Sequence, residues 1–188
     1  METIDSREVY RNPWMRVRED AIRRADGSDG VYGVVDKPDY ALIIPVEGAD
    51  GSPRNQRVRL VEQYRYPLGM RRWEFPQGTA PDGETADPLA LAGRELREET
   101  GLRAARMTEL GVLDVAAGVS SQRGRVFLAT GLTSGLPERE PEEQDMRSAW
   151  FDRVEVEGMI ERGEMTDAQS LAAYALLLVH ERRGGRAE

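Results

Sequence analysis

Residues 94–102 read RELREETGL and set Glu95, Glu98 and Glu99 at positions i, i+3 and i+4. A helix brings those positions onto one face, so three carboxylates converge within a turn. Asp87 followed by Pro88 predicts the start: an aspartate N-cap, then a proline whose missing N–H would have had no partner in the first turn. Gly101 supplies the left-handed stop. Leu89 and Leu96, seven apart, are expected to bury against a sheet while the three glutamates face a solvent-filled site. Like charges at this spacing repel, and a divalent cation removes the conflict. Mg²⁺ takes one or two carboxylates and completes its octahedron with waters and substrate phosphates. The stretch therefore predicts a metal site that handles phosphates.

Composition narrows the chemistry further. The chain has no cysteine and a single histidine, His180, which excludes disulfides, thiolate chemistry, a Ser-His triad and a multi-histidine zinc site within one chain. General base work is left to a carboxylate or a metal-activated water. His180 itself is expected near a helix C-terminus. A formal charge of −8 argues against a nucleic-acid partner, because neutralising a phosphate backbone needs a basic face. No apolar run reaches a membrane span of roughly 20 residues and no signal-peptide core opens the chain, so a cytoplasmic protein without a membrane partner is expected. A length of 188 residues suits one domain better than two.

The pattern along the chain is mixed α/β. Residues 9–19 alternate loosely, a turn-rich ADGSDG follows at 25–30, and 31–36 return as a strand, together suggesting a small meander. Residues 41–46 (ALIIPV) form a buried-strand run. They are joined by a hairpin loop at 47–56 to a returning strand at 57–66, and the two should pair antiparallel. Strands are also expected at 109–116, 124–130 and 148–153, with an acidic loop, PEREPEEQD, at 137–145. Thr166, with Gln169 three residues on, predicts a capping box for a closing helix. That helix, around LAAYALLLV at 171–179, is apolar nearly all round, which calls for deep packing or a subunit contact.

Gly78, Glu84 and the run from Arg94 to Leu102 resemble the Nudix box, G-x5-E-x7-R-E-U-x-E-E-x-G-U with U aliphatic, except that nine residues rather than seven separate Glu84 from Arg94. The resemblance implies an α/β/α sandwich with a mixed sheet, extended by an N-terminal antiparallel β segment. It places that segment at 1–36 as a dimerisation unit, the hydrolase domain at 37–183 and a frayed tail at 184–188. It implies that Glu95, Glu98 and Glu99, with the backbone carbonyl of Gln77, hold Mg²⁺ or Mn²⁺ in its place, and that Arg94 orients a glutamate. Segments at 60–67, 73–78, 142–151 and 163–177 resemble the ADP-ribose pyrophosphatase branch. By that likeness Glu142, then Glu143, is the candidate general base, with Gln144 standing where the branch often has an acid. Arg65 and Glu74 are candidate substrate-binding residues, and Trp73 and Tyr64 are expected in the core or an interface.

The implied activity is hydrolysis of a diphosphate linkage in a nucleoside diphosphate derivative, with a small phosphorylated nucleotide as substrate and a homodimer as the working form. ADP-ribose leads, giving AMP and ribose 5-phosphate, although Ala117 stands where that branch commonly has proline. Two alternatives stay open: a house-cleaning pyrophosphatase of oxidised nucleoside triphosphates, and a catalytically silent sensor of nucleotide sugars.

Overall fold

The computed structural model describes residues 1–48, 55–79, 87–139 and 143–184. Three antiparallel strands come first, β1 (Glu2–Asn12), β2 (Met15–Arg23) and β3 (Asp29–Asp36), in a sheet of their own. The small meander suggested for this region is present, and within the loosely alternating stretch 9–19 the chain turns to join β1 to β2 as a hairpin. Asn12 turns the chain, its side-chain oxygen accepting from the backbone N–H groups of Trp14 and Met15, both at 2.9 Å. An Asx turn before proline is the physical reason, and it interrupts the alternation at Pro13.

The second sheet holds β4 (Tyr40–Glu47), β5 (Arg57–Arg65), β6 (Met70–Glu74), β7 (Gln77–Thr79), β8 (Leu102–Asp114), β9 (Arg123–Ser134) and β10 (Arg147–Asp152). Its long path runs β10-β5-β4-β9-β8, and the β4–β9 pair is parallel while the others are antiparallel. The expected antiparallel pairing of β4 with β5 is present but brief, at Val46↔Val58 and Glu47↔Arg57. Beyond it the strands part. On the facing edges of the gap, β6 pairs with the far half of β5 and β7 with the near half of β4. Phe75 and Pro76 close the wedge, the Pro76 carbonyl accepting from Ile43 N–H at 2.9 Å.

Helices cover both faces. On one side lies α1 (Pro88–Thr100), and on the other α2 (Arg153–Glu161) and α3 (Ala168–Gly184). β4 sends alternate side chains to the two layers: Ala41 and Ile43 meet Leu91, Ala92 and Leu96 of α1, while Leu42, Ile44 and Val46 meet Val156, Met159, Ala173, Tyr174 and Leu177. This strand, buried on both faces, reads as a continuous apolar run for that reason. The helix α2 has no counterpart in the sequence reading, and it begins at Arg153, the last residue of the strand expected at 148–153. Its amphipathic spacing is legible only as Arg153, Val156 and Met159, all buried.

The caps of α1 match expectation. Asp87 accepts from the N–H groups of Leu89 and Ala90, and Gly101 adopts φ 74° with its N–H on the Arg97 carbonyl at 2.8 Å. A Cβ at Gly101 would also strike the Gly135 carbonyl. Leu96 is fully buried, but Leu89 is 48% exposed and does not share its burial. The core stripe of α1 runs through Leu91, Ala92 and Leu96 instead, the i, i+1, i+5 set that faces β4. On α3 the cap is Asp167 rather than Thr166, since the Asp167 carboxylate accepts from Ser170 N–H at 2.8 Å. This helix buries Ser170, Ala173, Tyr174 and Leu177 and leaves Val179 and His180 exposed, so it is one-sided despite its composition. It runs through Gly184, one residue into the expected tail. No helix among the described residues is long and apolar enough to cross a membrane.

The two leucines of α1 give a direct test. Leu96→Ala should cost about 2–5 kcal/mol, whereas Leu89→Ala should stay within about 0.5 kcal/mol of wild type. Urea unfolding of both variants measures the difference, and equal losses would contradict the burial assigned to this helix.

Candidate active site

Three elements meet at the wedge between β4 and β5. The α1 helix contributes Glu95, Glu98 and Glu99, β6 contributes Glu74 at its end, and the start of β7 contributes Gln77 and Gly78. Gly78 is required here, because a Cβ at that position would occupy the space of the Glu95 carboxylate. Arg94 donates to the Thr79 carbonyl at 3.1 Å and to Glu95 at 3.2 Å, tying α1 to β7. The Gln77 backbone N–H donates to Glu99 Oε2 at 3.1 Å, and the Gln77 side-chain amide donates to Glu74 Oε2 at 2.9 Å. Arg65 also reaches that Glu74 oxygen, at 2.6 Å.

Burial sets the electrostatics. Glu99 and Glu74 are both wholly inaccessible, and the Oε1 atom of each has no hydrogen-bond partner within the described protein. Burial, then the charges of Glu143, Glu95 and Glu74, pushes the Glu99 carboxyl well above the usual carboxylate range. Burial raises Glu95 to about 7 against the opposing pull of Arg94. Glu74 is likewise raised by burial, in spite of the Arg65 ion pair. Four carboxylates thus crowd one region, with Arg65 paired to Glu74 and Arg94 to Glu95.

Beside them lies a cavity of about 570 Å³. Glu95, Glu98, Glu143, Gln77 and Gly78 line one part of it, and Arg65, Lys37 and Asp167 also reach it. Trp14, 67% exposed, comes from the β1–β2 turn, and Pro67 and Leu68 come from the 3₁₀ turn Tyr66–Leu68. The N-terminal sheet is therefore part of the cavity wall. It is fastened there through the segment before β9: Val35 N–H donates to the Val119 carbonyl at 2.8 Å, Tyr32 OH to the Gly118 carbonyl at 2.7 Å and Ser120 OH to the Val35 carbonyl at 2.7 Å.

The NUDIX domain family model matches residues 38–174, and a model described as the nucleoside diphosphate sugar hydrolase N-terminal domain matches residues 1–35. The chain belongs to the Nudix family. An ADP-ribose pyrophosphatase of Mycobacterium tuberculosis is 36% identical over 180 residues, covering 95% of this chain and 83% of that protein. A methanol dehydrogenase activator of Bacillus methanolicus is 27% identical over 144 residues, 74% of each chain. A crystal structure titled as an ADP compounds hydrolase superposes with a TM-score of 0.76 at 21% identity, covering 98% of this chain and 94% of that one, which shows the shared fold. The chain is a Nudix pyrophosphohydrolase similar to ADP-ribose pyrophosphatases, with the mixed sheet and separate N-terminal antiparallel sheet anticipated from its sequence.

Within this Nudix domain the structure brings Glu74, Gln77, Arg65, Arg94, Glu95, Glu98, Glu99 and Glu143 into one region, while Glu84 and Glu142 lie outside the described residues. Two expectations change. Glu99 does not face solvent; it is enclosed between α1 and the β6–β7 segment. Nor do three carboxylates stand ready around one ion: among the described residues no such group is set as the side chains lie. Arg94 and Arg97 each approach Glu98 to 3.6 Å, Arg94 holds Glu95, and the Gln77 N–H donates to Glu99. The donor set still fits a hard divalent ion, because one oxygen each of Glu99 and Glu74 is buried and without a partner within the described residues and the candidate ligand atoms are all oxygen. Residues that the sequence reading did not assign to the site are Asp167, which it met only inside a capping pattern, and Trp14 and Lys37, which reach the cavity from element boundaries.

Removing the buried charge should stabilise the protein when chelator keeps metals away. Folding raises the Glu99 pKa, so its contribution is most favourable at low pH and is lost as pH rises from the ordinary carboxylate range through the raised folded value. Glu99→Gln should therefore match wild type near pH 4.5 and exceed it by a margin that grows as pH rises to 8. Thermal melts in EDTA across that range check the divergence; parallel curves would show that Glu99 is not a buried charge.

Proposed function

We propose that this chain hydrolyses the diphosphate linkage of ADP-ribose or a related nucleotide sugar, using Mg²⁺, or Mn²⁺ in its place. The observation that carries the reading is the buried, partnerless oxygen of Glu99 beside Glu74, Glu95 and Glu143. So dense a set of carboxylates is costly without a cation. Glu95, Glu98, Glu99 and the Gln77 carbonyl would hold the metal. When bound, the ion polarises phosphate oxygens and acidifies a water.

The protein's own groups account for the rest. Glu143, which lines the cavity and faces Glu95 and Glu99, takes the proton of the attacking water. As the water oxygen bonds to one phosphorus, the bridging P–O bond breaks, and ADP-ribose yields AMP and ribose 5-phosphate. Arg65 and Lys37 are the cations on the cavity wall and pair with phosphate oxygens; Glu74 fixes Arg65 for that contact. Trp14, Pro67 and Leu68 offer an apolar wall for the nucleobase. The cavity volume falls within the range of small-molecule sites, about 300–1,000 Å³.

A general base supports the chemical step, so Glu143→Gln should lower kcat by about 10²–10⁴-fold with KM little changed. Glu138→Gln, in the same acidic loop, should retain activity, and Glu98→Gln should remove most turnover without loss of fold. The assay pairs Mg²⁺ with ADP-ribose, ADP-glucose, GDP-mannose and 8-oxo-dGTP. A selective loss in Glu142→Gln instead would move the base by one residue, and preferential turnover of 8-oxo-dGTP would defeat the nucleotide-sugar reading.

We further propose a homodimer formed through the 1–36 segment, with 37–183 as the hydrolase domain. Ile4, Val9, Tyr10 and Val31 leave large apolar side chains exposed on the three-stranded sheet, an arrangement suited to a partner surface. Light scattering should report about 42 kDa, twice the 21.1 kDa chain. Removal of residues 1–36 should abolish both pairing and turnover, and a fully active 21.1 kDa species at micromolar concentration would overturn the proposal.

A further inference from the structure

Gln77 commits all three of its hydrogens to carboxylates on three different elements. Its backbone N–H goes to Glu99 of α1 at 3.1 Å, and its side-chain Nε2 to Glu74 of β6 at 2.9 Å and to Asp167, ahead of α3, at 3.3 Å. With an acceptor-only group on each side, the amide can present only its nitrogen there. The same Asp167 oxygen, Oδ2, accepts from Ser170 N–H at 2.8 Å and so caps α3. One turn into that helix the fully buried Ser170 accepts from Phe75 N–H at 2.9 Å. The segment from Glu74 to Gln77 is thus gripped from the α1 side by Glu99 and from the α3 side by Asp167 and Ser170.

We propose that Asp167 is a positioning residue: through the Gln77 side chain it fixes the Gln77 backbone, and with it Glu99, in the arrangement that receives the divalent cation. The inference rests on the metal reading above. Asp167 is well placed for this task because its carboxylate caps the start of a long helix, whereas Gln77 opens a strand of only three residues, Gln77–Thr79, paired with the first residues of β4. Partners one step from a metal ligand typically change affinity by about 10–100-fold when removed.

The capping and positioning roles separate by substitution. Asp167→Ser keeps a good helix cap but is too short to reach Gln77. Asp167→Asn keeps one oxygen where both donors already meet. Calorimetric titration of the full-length protein with Mn²⁺ should show about tenfold weaker binding for Asp167→Ser, with circular dichroism unchanged and kcat reduced more than KM. Asp167→Asn should return to within about threefold of wild type. Gln77→Leu, which leaves the backbone groups in place, should by itself give the loss seen in Asp167→Ser, and adding Asp167→Ser to it should cost nothing more. Wild-type Mn²⁺ affinity in Asp167→Ser or in Gln77→Leu, or additive losses in the double variant, overturns the inference while leaving the proposed activity standing. A wild-type protein that binds no Mn²⁺ defeats the metal reading itself and this inference with it.

Discussion

β4 and β5 share two residue pairs and then separate, and the wedge between them is the constraint on which the site depends. A strand edge inside a protein must find partners for its N–H and C=O groups. Here the partners come from one short excursion of chain, β6 on one bank and β7 on the other, with Phe75 and Pro76 crossing between them. The excursion carries Glu74 and Gln77 to the open end of the gap, where α1 packs over β4 and β7. The geometry of the candidate site follows from backbone accounting: the segment that satisfies the parted strands is also the one that meets the box glutamates.

That placement has an electrostatic cost which the fold only partly offsets. Arg65 pairs with Glu74, and Arg94 with Glu95 and more distantly with Glu98, yet Glu99 has no cation within ion-pair reach among the described residues and keeps one oxygen without a partner. Stability alone would favour an amide or an apolar residue at 99, because an uncompensated buried charge opposes folding. Packing on the other faces of the same helix carries the opposing free energy, through Leu91, Ala92 and Leu96 against β4. The helix therefore carries core packing and the glutamate cluster on separate stripes.

Local chemistry was the legible part of this sequence. The Asp87 and Gly101 boundaries of α1, the buried run of β4 and the acidic cluster each rest on side chains within a few residues of one another, and the structure repeats them. What escaped was set by contacts distant in the chain. Leu89 has the same heptad spacing to Leu96 that a buried pair would show, but α1 meets β4 along a stripe offset from it. Thr166 and Gln169 form a fair capping box on paper, and Asp167 displaces it because its carboxylate also gains Gln77, 90 positions earlier in the chain. The meander was legible as strands but not as a wall of the cavity. Trp14 and Lys37 reach the site only because β3 is bonded to the segment near Val119 and Ser120.

Those bonds also tie the segment before β9, and with it part of the cavity wall, to the N-terminal sheet. The segment from Ala116 to Gln122 begins where the ADP-ribose branch commonly carries proline, and here it has Ala117 and Gly118 followed by serines. Proline would fix one backbone torsion and remove a donor. This chain instead braces the segment from outside, with Tyr32 on the Gly118 carbonyl, Val35 on the Val119 carbonyl and Ser121 on Asp36 at 3.1 Å. Gln122, at its end, bonds the Pro38 carbonyl at 2.7 Å and lines the cavity. Rigidity that a single residue could supply locally is here supplied by β3. Any shift of that sheet would move Gln122, Lys37 and Trp14 together, so the shape of the cavity away from the glutamates is set by how the N-terminal sheet is held.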